Sequence, residues 1–116
     1  MSLPPPPVPA KLREMLKDYP GHIERLQEVL IRSVERSKRL PLMPFDDAIS
    51  ALEGRLGTFI SEAREELNVA KMDGDSEMIS RADDKFRLMF RARSGNGGMK
   101  GLHDLWEYFE KNKEAF

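Results

Sequence analysis

Cysteine is absent from this 116-residue chain, which excludes disulfide staples, thiolate metal sites and thiol nucleophiles, and fits a reducing compartment. No apolar run approaches the roughly 20 residues that a membrane-spanning helix needs, and the proline-rich start lacks the apolar centre of a signal peptide. These absences set the expectation of a cytoplasmic chain without a membrane partner. Charge imbalance is missing too. With 19 basic and 20 acidic side chains the formal net charge is -1, so bulk electrostatics points to no polyanion, and nucleic acid is not an expected partner. Only two histidines are present, His22 and His103. Neither has a visible nucleophile or a second imidazole at ligand spacing, so both read as structural and no cofactor is expected. Alternating strand patterns are also lacking.

What remains is helix-forming sequence punctuated by proline and glycine. A chain of this length forms one domain that buries about 60 to 70% of its unfolded surface without a staple. Residues 1–9 carry five prolines and read as an extended polyproline arm; residues 10–116 read as a single all-α domain of four main helices plus a short N-terminal one. Pro9 opens the short helix, expected to reach about Asp18. Pro20 opens the second, to about Arg39, with Ile23, Leu26, Leu30 and Val34 stepping by three or four. Pro41 and Pro44 break the chain again.

From Phe45 a stripe of Ile49, Leu52, Leu56, Phe59, Ile60, Ala63, Leu67 and Ala70 marks a third helix of almost thirty residues. Its apolar residues repeat at a spacing of eleven, which keeps the stripe on one face of a nearly straight helix and favours a bundle over a heptad coiled coil. At about 1.5 Å per residue such a helix outgrows the roughly 35 Å diameter of a compact domain this size. Gly54 and Gly57 within it allow either a close backbone approach or a mild kink. Asp75 or Ser76 is placed to cap a fourth helix carrying Ile79, Ala82, Phe86, Met89 and Phe90. The last helix is expected to present Met99, Leu102, Leu105, Trp106 and Phe109 on one side.

Three groups of residues carry candidate chemistry. The loop Ser94 to Gly101 holds four glycines, and the segment Lys85 to Gly101 carries Lys85, Arg87, Arg91, Arg93 and Lys100 without a single acid. It is not a P-loop: Lys100 precedes Gly101, no hydroxyl follows, and a helix rather than a strand comes before. As a candidate anion site it relies on Arg87, Arg91, Arg93 and Lys100 together with free backbone N–H groups at the start of the last helix; otherwise it is a joint. A second basic stripe, Arg25, Arg32, Arg36 and Arg39, reads as a solvated helix face.

The second group is acidic. Glu62, Glu65 and Glu66 with Asp83 and Asp84 on the next helix are similar to the carboxylate clusters by which all-α nucleotide pyrophosphatases of the MazG type hold magnesium. That pattern wants a glutamate three residues before an aspartate; here Ser80 precedes Asp83 and Arg81 precedes Asp84, so a ligand is missing and no family is assigned. Asp73-Gly-Asp-Ser-Glu77 resembles a calcium loop in part, but Met78 stands where the turn wants glycine and Arg81 adds a cation, so the segment reads as a capping turn. The third group is Pro6-Pro-Val-Pro9-Ala-Lys11, which matches a polyproline recognition motif but reads as a spacer docked across the bundle or a partner subunit.

The leading functional expectation is a non-catalytic helical interaction protein that pairs with a second copy of itself, a dimer in the first instance. Its core or oligomer surface is expected from Leu52, Leu56, Phe59, Ile60, Leu67 and Trp106. A divalent-metal-dependent phosphohydrolase using Glu62, Glu65, Glu66, Asp83 and Asp84 is the alternative, and anion or nucleic-acid binding through residues 87–101 the third reading.

Overall fold

The computed structural model describes residues 3–40 and 43–116; Pro41, expected to break the chain, lies outside them. In order come α1 (Ala10–Met15), α2 (Pro20–Arg39), α3 (Pro44–Asp73), α4 (Ser76–Arg93), α5 (His103–Lys111) and a final 3₁₀ turn (Lys113–Ala115), with no strand among the described residues. The all-α bundle of four main helices and one short one is thus what forms.

Local chemistry sets most boundaries. Pro20 and Pro44 occupy the first turns of α2 and α3, where a missing N–H costs nothing. Asp46 and Asp47 sit in the positive first turn of α3, and Arg36, Lys38 and Arg39 in the negative last turn of α2. At the α3–α4 corner Gly74 adopts φ 75° and its N–H bonds to the Ala70 carbonyl at 3.1 Å, a left-handed close that favours glycine. Asp75 then caps α4, its carboxylate accepting from the N–H groups of Glu77 and Met78 at 2.9 and 3.2 Å. Two boundaries differ from expectation. α1 stops at Met15 because Leu16 to Asp18 turn, Tyr19 N–H bonding to the Leu16 carbonyl, ahead of Pro20. α5 starts at His103, so Met99 packs against the core from a turn rather than from the helix.

α3 is the axis of the molecule, packed against α2 on one flank and α4 on the other, with α5 at its N-terminal end and α1 seated on α4. The expectation that α3 outgrows its domain fails for a geometric reason. Thirty residues span about 45 Å, and the whole molecule is elongated to match, 55 × 22 × 21 Å with a radius of gyration of 16.0 Å. Leu12, Leu16, Leu26, Leu30, Leu52, Leu56, Phe59, Met89 and Leu105 are fully buried, each large aliphatic contributing about 1.5 to 3 kcal/mol relative to exposure. The arm closes the core. Val8 and Pro9 are buried, the Pro4 carbonyl accepts from the Tyr108 hydroxyl at 2.8 Å, and the Pro6 carbonyl accepts from the Gln27 amide. The polyproline motif is therefore used internally.

Gly54 and Gly57 do not serve close backbone packing. Nothing lies within 4 Å of where a Gly54 side chain would stand, and at Gly57 the nearest atom is Arg93 Nε at 3.7 Å.

Candidate functional site

The glycine-rich segment is built as a tight return over the end of α4. Gly98 N–H bonds back to the Arg91 carbonyl at 3.0 Å, Gly97 and Met99 N–H groups both reach the Ser94 carbonyl, and Lys100 N–H reaches Gly97. Asn96 N–H is taken by Ser94 Oγ at 3.2 Å. The amides of Asn96 to Lys100 are thus spent inside the loop. At the start of α5 no side chain caps the first amides; the Asp104 carboxylate in that turn accepts from Ala10 N–H at 3.2 Å and lies 3.8 Å from Arg13.

The four proposed anion ligands disperse. Arg87 pairs with Asp83 at 2.9 Å, and Arg93 Nε donates to the Glu53 carbonyl on α3 at 3.3 Å. Lys100 is exposed on the loop. Arg91 alone lines a groove of about 430 Å³, and its companions there are Lys11, Met15, Ser94, Asn96 and Gly97. Lys11 lies eighty residues upstream of Arg91, and no pattern in the sequence joins the two.

The carboxylates are dispersed by pairing. Glu62 accepts both guanidinium N–H groups of Arg25 at 2.7 and 2.8 Å, Glu66 binds Lys85 at 2.9 Å, and Asp83 holds Arg87. Of these pairs Glu66–Lys85 joins α3 to α4, Glu62–Arg25 joins α3 to α2, and Asp83–Arg87 lies within α4. Glu65 and Asp84 are exposed, and among the described residues no three His, Cys, Asp or Glu side chains gather into a metal-holding group. Three members of the basic stripe of α2 are paired, Arg25 with Glu62, Arg32 with Glu28 at 3.7 Å and Arg36 with Asp47 at 2.7 Å, and Arg39 is exposed.

A polar cluster forms where α2, α3 and α4 meet. The His22 ring packs at a tilt against Phe59, 4.3 Å between centroids, and against Tyr19 at 5.5 Å, while the Arg25 guanidinium lies 4.7 Å above Phe59. Lys85 Nζ is 5.1 Å from the Tyr19 ring. Burial holds the His22 imidazole below its ordinary value, and the nearby Lys85 and Arg25 charges add to this. The Arg25 hydrogen bonds hold Glu62 below the usual carboxylate range against some desolvation. Desolvation pushes Asp47 up, but hydrogen bonds from Arg36 and from the Ser33 hydroxyl at 2.6 Å, with the Arg36 charge, leave it lowered.

An aromatic-lined concavity lies elsewhere, at the N-terminal end of α3. About 420 Å³ is enclosed by Met43, Pro44, Phe45 and Asp46 from that end and by Trp106, Phe109, Glu110, Lys113 and Phe116 from the C-terminal segment. Phe45 meets Trp106 edge to face at 5.2 Å and Phe109 at 6.3 Å; Phe109 meets Phe116 at 5.3 Å. A shallower depression bounded by Arg36, Leu40, Met43, Asp46 and Asp47 continues it. Trp106 remains 47% exposed, Met43 64% and Leu40 67%. By contrast Leu52, Leu56, Phe59, Ile60 and Leu67 are buried inside the chain, so within this fold they are core and present nothing to a second copy. Of the six residues proposed for a core or oligomer surface only Trp106 faces outward, and the groove residues Met43, Phe45 and Phe116 were not singled out for that role. The density of aromatics near the C-terminus was a signal for Phe116 alone; Met43 and Phe45 stand far from it in the chain. No helix among the described residues is long and apolar enough to cross a membrane. Comparison with protein-family models, curated proteins and solved structures yields no match to the chain.

Proposed function

We propose that the protein is a non-catalytic helical module that pairs with a second copy of itself through the aromatic groove at the N-terminal end of α3. One observation carries this reading: a concavity lined by Phe45, Trp106, Phe109 and Phe116 that leaves the chain's only tryptophan half exposed. A large aromatic at the centre of an apolar patch is the usual anchor of a protein interface. The rim supports self-association in particular. It carries Asp46 and Glu110 beside Lys113, charges of both signs that a reciprocal two-fold contact can pair between the copies. Leu40 and Met43, on the adjoining depression, extend the apolar area toward the ~800 Å² per partner of a standard interface.

Because the groove lies at one end of a 55 Å molecule, the dimer is an elongated rod approaching about 110 Å, twice the monomer length. Light scattering coupled to size exclusion should report about twice 13.3 kDa, and small-angle scattering should give the rod. Trp106→Ala weakens association by about 30-fold or more, the effect of losing a ~2 kcal/mol anchor, without loss of helical circular dichroism. Lys113→Glu weakens it as well, and adding Glu110→Lys restores part of the loss. A strict monomer at 100 micromolar rules this function out. A dimer indifferent to Trp106→Ala rules out the groove.

A further inference from the structure

We infer that the groove between α1 and the end of α4 is a binding site for a small organic phosphate. This proposal is independent of self-association, since it uses none of the residues of the aromatic groove. Lys11 and Arg91 converge on a concavity of about 430 Å³ with Ser94, Asn96, Gly97 and Met15. Neither cation forms an ion pair among the described residues. Many other basic side chains also lack an ion pair; what sets these two apart is that they line one concavity.

The neutral donors fit the same ligand. Ser94 Oγ accepts from Asn96 N–H, which leaves its own proton to donate, and the Asn96 side-chain amide supplies two further N–H groups. Two cations and two neutral donors around one concavity suit a dianion with three terminal oxygens better than a singly charged carboxylate with two. The arginine supplies a planar fork and the lysine a point charge, the two complementary ways of holding phosphate oxygens. At about 430 Å³ the groove is within the range of small-molecule sites and leaves room for an organic body beside the phosphate. Met15, partly buried against the core, offers that body a polarizable apolar wall.

The loop architecture explains how the site is held. Gly97 and Gly98 press the return so tightly on α4 that Ser94 and Asn96 are carried beside Arg91, and a side chain on Gly101 would stand 3.7 Å from Lys11 Cβ. The glycines do not bind the anion through their amides. They set the geometry that brings four side chains from two distant stretches of chain together.

Isothermal titration at low salt with phenyl phosphate, inorganic phosphate and benzoate tests the assignment. Phenyl phosphate should bind with a Kd below about 1 mM and several-fold tighter than inorganic phosphate, with benzoate weaker still. The double variant Lys11→Ala with Arg91→Ala should lose at least 10-fold, Arg91→Lys should lose less, and Lys71→Ala, an exposed cation on α3, should match the parent protein. Absence of phenyl phosphate binding at 5 mM overturns the proposal, as does an equal loss in Lys71→Ala, which means diffuse attraction. Binding of a ten-nucleotide thymidine oligomer by a surface that ignores phenyl phosphate overturns it in favour of a polymer-backbone contact. All variants alter exposed side chains, and unchanged circular dichroism separates lost binding from lost folding.

Discussion

The substitution Gly98→Ala isolates what the glycine-rich loop is for. No described residue other than Gly74 has a positive φ requiring glycine, so at Gly98 the demand is for space alone. A methyl group there would fall well inside contact distance of the Ala92 carbonyl oxygen, 2.9 Å from the Ala92 carbonyl carbon and 2.5 Å from Leu12 Cδ2. Two of those three neighbours are backbone at the end of α4 and cannot swing away, and Leu12 is fully buried. The loop must lift, which strains the bond from Gly98 N–H to the Arg91 carbonyl and unseats α1 from α4. Overpacking of this kind costs about 2 to 3 kcal/mol. For 116 residues the unfolding entropy near the midpoint is about 0.24 kcal/mol/K, so each kcal/mol moves Tm by about 4 °C and the expected fall is about 8 to 12 °C. Differential scanning calorimetry measures it directly. Gly95→Ala, with nothing within 4 Å, is the matched control and should change Tm by less than about 4 °C. If Gly98→Ala melts within 2 °C of the parent, the loop is not clamped as described and the reasoning fails.

Other predictions follow from the same structure. Gly54→Ala replaces a helical glycine that faces open space and should raise stability by up to about 1 kcal/mol in urea unfolding; a loss would reveal a backbone neighbour the structure does not show. Asp75→Ala removes the cap of α4 and should cost about 1 kcal/mol, whereas Asp75→Asn retains most of it. Acidification should destabilise the protein in two stages. His22 titrates below its ordinary 6.5 in the folded state, so as pH falls past 6.5 the unfolded chain takes up a proton that the folded chain resists, and stability drops until the folded value is passed. Glu62 and Asp47 are lowered from 4.5 and 3.8, so the stability they add is intact at neutral pH and disappears as pH falls through their folded values. His22→Phe should abolish the upper stage and leave the lower; urea midpoints that stay level between pH 7 and 5 in the parent would contradict the assignment.

Much of the fold depends on interactions between residues close in the chain, and those were readable without coordinates. Pro20 and Pro44 start helices, Gly74 ends one and Asp75 starts the next, because each acts on backbone within one turn. The apolar stripe from Leu52 to Ala70 is a period along one helix, and it names the core whatever packs against it. Tertiary structure decided the rest, since it brings together residues that no spacing connects. The stripe could have faced a second chain; it is covered instead by α2, α4 and an arm held by Tyr108 and Gln27. Arg87, Arg91 and Arg93 read alike as basic residues near a glycine loop. Helical rotation of about 100° per residue sends Arg93 to α3, Asp83 captures Arg87, and only Arg91 is left to face Lys11. Trp106 shares its helix with Leu105 and Phe109, yet those two are buried and it is half exposed, because α5 meets the end of α3 and no further helix among the described residues covers it.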